Sequence, residues 1–185
     1  MITFVSEDIW DFDLNEALCE MSSQRREQAL KFKHELGRRL SVLAYRLLKK
    51  GLQEVYGITE NPIFEYNEHG KPSIAGHPEI YFNLSHCKEA VACVLSDHPV
   101  GIDVESIREY KEPLVRYAMS DDEVMQIEKA DDPAAAFIRL WTMKEAALKR
   151  LGTGISNDLK TVLQQNPQFR FTTHETSTYI YTVCE

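Results

Sequence analysis

Val100-Gly-Ile-Asp-Val-Glu105 is the stretch on which the reading of this chain turns. Successive strand side chains point to opposite faces, so Ile102 and Val104 are predicted to enter a core. Asp103 and Glu105 then stand together on the other face. Two carboxylates side by side repel unless a cation or a proton lies between them. Hard oxygen ligands at this spacing suit Mg²⁺. An isolated D-x-E is also common at ordinary polar strand ends, so the pair alone leaves both readings open.

Toward the C-terminus, Arg116–Lys129 is predicted to be helical. Asp131 or Asp132 caps a further helix, with Pro133 in its first turn and Gly152 just past its end. Trp141, Glu145 and Lys149 fall at i, i+4 and i+8 and share one face of that helix. Trp141 reads as packing. Glu145 and Lys149 also fit a plain surface pair, worth about 0.2–0.5 kcal/mol. Phe169–His174 and Tyr179–Cys184 form a predicted hairpin.

Toward the N-terminus, Ala90–Ser96 reads as a strand joined to 100–105 by Asp97-His-Pro99, which predicts a hairpin. Glu79–Asn83 and Pro62–Tyr66 are further strands, and Asn67-Glu-His-Gly-Lys-Pro72 is a turn. Phe82-Asn-Leu-Ser-His86 offers Ser85 and His86. A nucleophile–base pair is disfavoured, because neighbouring strand residues diverge and no third orienting group is evident. Anion contact by the hydroxyl, loop amides and imidazole suits them better. Ile2–Val5 reads as a strand and Asp8–Met21 as a helix. A basic helix follows Ser22 and Ser23 to about Lys50, with Glu27 placed for a capping box, Gly37 a possible bend, and Leu36, Leu40, Leu43 and Leu47 forming a core stripe.

The chain has 185 residues, enough for one domain or two small ones, and 43% are apolar. No run approaches the ~18–20 apolar residues of a membrane helix, and the first residues carry no basic leader. A cytoplasmic protein with no membrane partner is expected. Cys19, Cys87, Cys93 and Cys184 form no CxxC and are expected as thiols. The net charge of −8 argues against a nucleic-acid partner. Nine basic residues nevertheless lie between Arg25 and Lys50 against only Glu27 and Glu35, so that segment carries +7 and the remainder −15. This is either a solvated helix face or a docking surface for a polyanion.

In this order, Gly70-Lys-Pro72, Phe82-Asn-Leu-Ser-His86, Val100-Gly-Ile-Asp-Val-Glu105 and Trp141-Thr-Met-Lys-Glu145-Ala-Ala-Leu-Lys149 resemble the Sfp-type 4′-phosphopantetheinyl transferases. A weaker match extends back through Arg25-Arg-Glu27 and Lys31-Phe-Lys-His34 to Arg38-Arg39, and the tail after Gly152 carries no signature. The resemblance implies an α+β fold of two pseudo-symmetric halves, residues 1–97 and 98–185, with coenzyme A in the cleft between them. It implies transfer of phosphopantetheine from coenzyme A to a serine of an apo carrier protein, with release of 3′,5′-ADP. It implies Mg²⁺ held by Asp103, Glu105 and Glu145. Arg25 and Arg39 would meet the 3′-phosphate, with His86 closing on it. Lys71 and Ser85 would line the nucleotide pocket, and Lys149 would face the pyrophosphate. Glu145 and Lys149 are the expected catalytic residues.

Gln28 departs from the pattern, standing where a second basic contact is often found. Arg108–Ser120 is the expected acceptor surface for the carrier, although Leu114, Tyr117 and Met119 also fit the buried side of a helix. Half-size relatives that serve fatty-acid synthesis form trimers; two halves in one chain imply a monomer. A non-catalytic binding module would not need the full set Asp103, Glu105, Glu145 and Lys149.

Overall fold

The computed structural model describes residues 1–153 and 159–185. Fifteen elements are seen among them. The chain opens with β1 (Ile2–Ser6), α1 (Leu14–Cys19), α2 (Ser23–Leu30) and α3 (Glu35–Tyr56). Next come β2 (Phe64–Tyr66), β3 (Pro72–Ile74), β4 (Tyr81–His86), β5 (Val91–Ser96) and β6 (Gly101–Ser106). They are followed by α4 (Glu112–Ala118), α5 (Asp121–Glu128), α6 (Pro133–Leu151), α7 (Val162–Gln165), β7 (Phe171–Glu175) and β8 (Tyr179–Cys184).

Two antiparallel three-stranded sheets organise the mixed α/β fold, ordered β1-β5-β4 and β6-β8-β7. Helix α3 covers the first and α6 the second. Val91, Cys93 and Leu95 pack with the α3 stripe of Leu40, Leu43 and Leu47. The alternate residues Ala92 and Val94 meet Ile102, Val104 and Val183 in a separate cluster between the sheets. β5 is therefore buried on both faces, and the predicted inward pointing of Ile102 and Val104 is observed.

The expected hairpin of residues 90–96 with 100–105 does not form. Both edges of β5 are taken, by β1 and β4, so residues 97–99 carry the chain to the other sheet and β6 pairs with β8. The hairpin of β7 with β8 forms as read.

Helix boundaries moved for local reasons. The first helix is shorter than read, because Asp13 takes the N-cap and accepts from Glu16 N at 2.8 Å. The basic helix is two helices, broken at residues 31–34, where the Arg38 guanidinium donates to the Phe32 carbonyl at 2.9 Å. Gly37 lies inside α3, beyond this break. Ser22 caps α2 with Arg25 at the N3 position, so Glu27 forms no capping box. The helix predicted over 116–129 is also split. Ser120 starts α5 with a complete capping box to Glu123. Asp132, Pro133 and the left-handed Gly152 delimit α6 as predicted. Cys87, Cys93 and Cys184 are buried thiols and Cys19 an exposed one.

Candidate active site

The site lies where β4, β6 and α6 meet. β4 and β6 are not partners in a sheet ladder, yet two side chains join them. Asn83 Oδ1 accepts from the Ile102 amide at 3.0 Å, and Ser85 Oγ accepts from the Val104 amide at 3.2 Å. Asn83 and Ser85 are two residues apart and so leave the strand on one face. Their oxygens take the place that a neighbouring strand's carbonyls would hold. The polar residues of Phe82-Asn-Leu-Ser-His86 are thus a seam between sheets, a role for Asn83 that the sequence reading did not assign.

Gly101 sets the approach of α6. A methyl group there would collide with the Ala146 carbonyl oxygen and the Arg150 amide nitrogen. Its absence lets β6 run against the α6 backbone, which brings Asp103 to Glu145 and Lys149.

Asp103 is 3% exposed. Lys149 Nζ donates to its Oδ1 at 2.6 Å and to Ser85 Oγ at 2.9 Å. The Ser85 hydroxyl in turn donates to Asp103 Oδ1 at 2.9 Å. With one bond donated and two accepted, that hydroxyl is saturated. Asp103 Oδ2 and Glu145 Oε1 are buried with no hydrogen-bond partner. A buried, unpaired carboxylate oxygen is costly unless a proton or cation comes to it.

The electrostatics agree. Desolvation, and next the Asp103 charge, push Glu105 up to about 7. Glu145 is raised by the same two causes in the same order. Glu105 and Glu145 thus both feel the Asp103 charge. Among the described residues, however, no three acidic, imidazole or thiol groups already converge as a ligand set. In this conformation the Lys149 ammonium sits against Asp103 instead.

Three cavities surround this cluster. One of about 290 Å³ is lined by Gly70, Lys71, Asn83, Glu145 and Lys149. A second of about 530 Å³ gathers Arg25, Gln28, Lys31, Ser41, Tyr66 and His86. Arg25 and His86 are thus brought together, as expected. Arg25 donates to Gln28 at 2.8 Å, stacks 5.0 Å over the Phe64 ring, and keeps a buried Nε without a partner. His86 lies below its ordinary pKa, through desolvation against the cavity wall and next through the Lys149 charge. A third cavity of about 330 Å³ is lined by Glu105 and walled by Tyr110, Leu114, Phe137 and Trp141.

One expected contact lies elsewhere. Arg39 does not line the cavity of Arg25 and His86. Its guanidinium bonds Glu35 at 2.8 Å and the Phe12 carbonyl at 3.0 Å, and stacks over Trp10 and Phe12. The reason is helical phase: Ser41 and Ala44 carry α3's cavity-facing side, and Arg39 is well around the helix from them. Lys71 lines the cavity of Glu145 and Lys149, and its Nζ donates to the Arg150 carbonyl at 3.0 Å, at the negative end of α6. Burial lowers its pKa.

The acceptor segment divides. Leu114 and Tyr117 are exposed, whereas Met119 is buried, so for Met119 the packing reading holds. Trp141 packs on Phe137 with ring centroids 5.9 Å apart. Lys144, quoted in the sequence without a role, is wholly buried. It pairs with Glu123 at 2.9 Å and donates to the Leu159 carbonyl at 2.6 Å.

Residues 99–184 match the model of the 4′-phosphopantetheinyl transferase superfamily. The chain is 37% identical over 118 residues to 4′-phosphopantetheinyl transferase gsp of Aneurinibacillus migulanus, covering 62% of this chain and 49% of that protein. It is 34% identical over 142 residues to psf-1 of Bacillus pumilus, covering 75% and 61%. It is 36% identical over 121 residues to AcpT of Salmonella typhimurium, covering 62% and 60%. Both of these are also named 4′-phosphopantetheinyl transferases. The matched region thus spans about half to three-fifths of each relative's length. Residues 99–184 carry the match to the 4′-phosphopantetheinyl transferase superfamily, and these relatives support the resemblance to the Sfp-type enzymes. Among the described residues no helix is long and apolar enough to cross a membrane.

Proposed function

We propose that this chain transfers the 4′-phosphopantetheine group of coenzyme A to a serine of an apo carrier protein and releases 3′,5′-ADP. The observation that carries this reading is the pair of partnerless buried oxygens on Asp103 and Glu145, beside a cavity that Glu145 and Lys149 line. Residues 1–97 and 98–185 are read as two halves with coenzyme A in the cleft between them. Support comes from the cavity that Lys71 and Asn83 share with Glu145 and Lys149.

In this reading the nucleotide end lies in the larger cavity. The partnerless Arg25 Nε, together with Lys31 and His86, receives the 3′-phosphate, and Ser41 faces the same space. Binding an anion there raises the His86 pKa from its lowered value and favours its protonated form. Lys149 turns to the pyrophosphate and meets charge growing on the leaving oxygen. Asp103, Glu105 and Glu145 would hold Mg²⁺. Bound there, the ion would supply Lewis-acid neutralisation of the diphosphate.

The acceptor serine attacks the phosphorus next to pantetheine in line with the departing oxygen. Glu145 is the candidate to take its proton. In the metal-free protein burial and Asp103 favour the protonated form of Glu145. The carrier would dock on Arg108–Ser120, where Leu114 and Tyr117 are exposed beside Arg108 and Lys111.

The direct test is incubation with apo acyl and peptidyl carriers, Mg²⁺ and coenzyme A, read by intact mass. A gain of one phosphopantetheine on the carrier, lost in Asp103→Ala, is expected. No gain on any carrier of a broad panel would remove the assignment. A monomer is expected by light scattering, and location in the cytoplasm by fractionation.

A further inference from the structure

Lys149 stands against Asp103 Oδ1, while Asp103 Oδ2 and Glu145 Oε1 are buried without a partner. An ammonium and a divalent cation therefore draw on the same small group of carboxylates. Two positive centres a few ångströms apart repel strongly where water is scarce. The cluster accommodates both only when further negative charge arrives. A diphosphate is such a charge, and Lys149 lines the cavity through which it would come.

We propose that Lys149 is a built-in counter-ion. It occupies Asp103 in the metal-free protein and opposes divalent-cation binding until the diphosphate of the substrate draws it away. The inference rests on the function proposed above and adds an order to it: metal and diphosphate enter together. The side chain has the freedom for this, since Lys149 is 28% exposed at the cavity while Asp103 is fixed. Ser85 stays behind. Its donated bond to Oδ1 keeps the Asp103 carboxylate oriented, with Oδ2 free, after the ammonium leaves. Because linkage is reciprocal, coenzyme A and the metal strengthen each other's binding by one factor, and Lys149 sets part of that factor.

The experiment is Mn²⁺ binding, followed by the electron paramagnetic resonance signal of the free ion, with and without coenzyme A. Wild type is expected to bind Mn²⁺ weakly alone and at least tenfold more tightly with coenzyme A. Lys149→Met is expected to bind Mn²⁺ alone at least tenfold more tightly than wild type, with a smaller further gain from coenzyme A. Lys149→Gln keeps polar reach to Ser85 without the charge and should behave alike; it serves if the methionine variant fails to fold. Asp103→Asn should lose the site throughout. If both lysine variants bind Mn²⁺ alone no better than wild type, the counter-ion role is wrong while the metal site stands. If wild type takes up no Mn²⁺ even with coenzyme A, the metal assignment under the proposed function falls, and this inference with it.

Discussion

Lys144 Nζ lies 2.9 Å from Glu123 Oε2, with the lysine side chain wholly buried and the glutamate 13% exposed. Glu123 Oε2 also accepts from the Ser120 amide at 2.7 Å and so closes the α5 capping box. One lysine next to the Glu145 position thereby ties α6 to the α4–α5 corner and to Leu159. Removing one member of a buried pair strands the other, at a cost of about 3–5 kcal/mol. Lys144→Ala is expected to lower unfolding stability by that order in urea titration. The double variant with Glu123→Ala should lose less than the two singles summed. Strict additivity would mean the pair is not coupled.

Gly101 governs the distance between β6 and α6. Gly101→Ala forces a methyl into the Ala146 carbonyl and the Arg150 amide, and overpacking of this kind costs about 1–3 kcal/mol. A lower melting temperature should accompany a loss of transferase activity larger than the stability change explains, because Asp103 and Lys149 are displaced together. A Gly101→Ala protein with wild-type activity and melting temperature would contradict the close packing.

Glu105 gives the metal-free protein a pH dependence. Its folded value of about 7 lies above the unfolded carboxylate value of 4.5. Between those two the native state binds more protons than the unfolded one. Stability from this group is therefore present at low pH and falls as pH rises from about 4.5 to about 7. A divalent cation reverses the effect by favouring the ionised form. Scanning calorimetry with coenzyme A present throughout, in chelator and in Mg²⁺, should show a thermal shift from the metal that grows between pH 5.5 and pH 8. In Glu105→Gln that growth should shrink. A shift that does not change with pH in the wild type would disconnect Glu105 from the ion.

The two arginines should separate kinetically. Arg25 has a partnerless Nε at the cavity shared with His86, whereas Arg39 is engaged with Glu35, Phe12 and Trp10. Arg25→Ala is expected to raise KM for coenzyme A about tenfold more than for dephospho-coenzyme A, the scale of one charge-assisted hydrogen bond. Arg39→Ala should affect both substrates equally and act mainly on stability. A selective defect in Arg39→Ala would show that Arg39 swings to the 3′-phosphate on binding.

Much of this was legible in the linear chain because it depends on neighbours in sequence. Strand alternation places Asp103 and Glu105 opposite Ile102 and Val104. Helical spacing puts Trp141, Glu145 and Lys149 on one face. Asp132, Pro133 and Gly152 mark the bounds of α6 through local backbone chemistry. The family was readable for the same reason, since four short segments in order are a property of sequence. Less legible were the breaks at residues 31–34 and at Ser120, where a side chain bonding the backbone competes with a helix that the periodicity favours.

Tertiary structure alone decided the rest. That β5 pairs with β1 and β4 and leaves β6 to β8 depends on strands far apart in the chain. Asn83 and Ser85 became a seam only because β4 lies beside β6 without a ladder. Arg39 left the cavity and Arg25 stayed by the phase of helices whose rotation is set by packing. Lys144 became a buried staple and Lys149 the partner of Asp103 because Gly101 lets α6 close on β6. Sequence specifies which groups a segment carries and which way each points along it. Only the packed fold fixes which charges share a space too small for water to screen them.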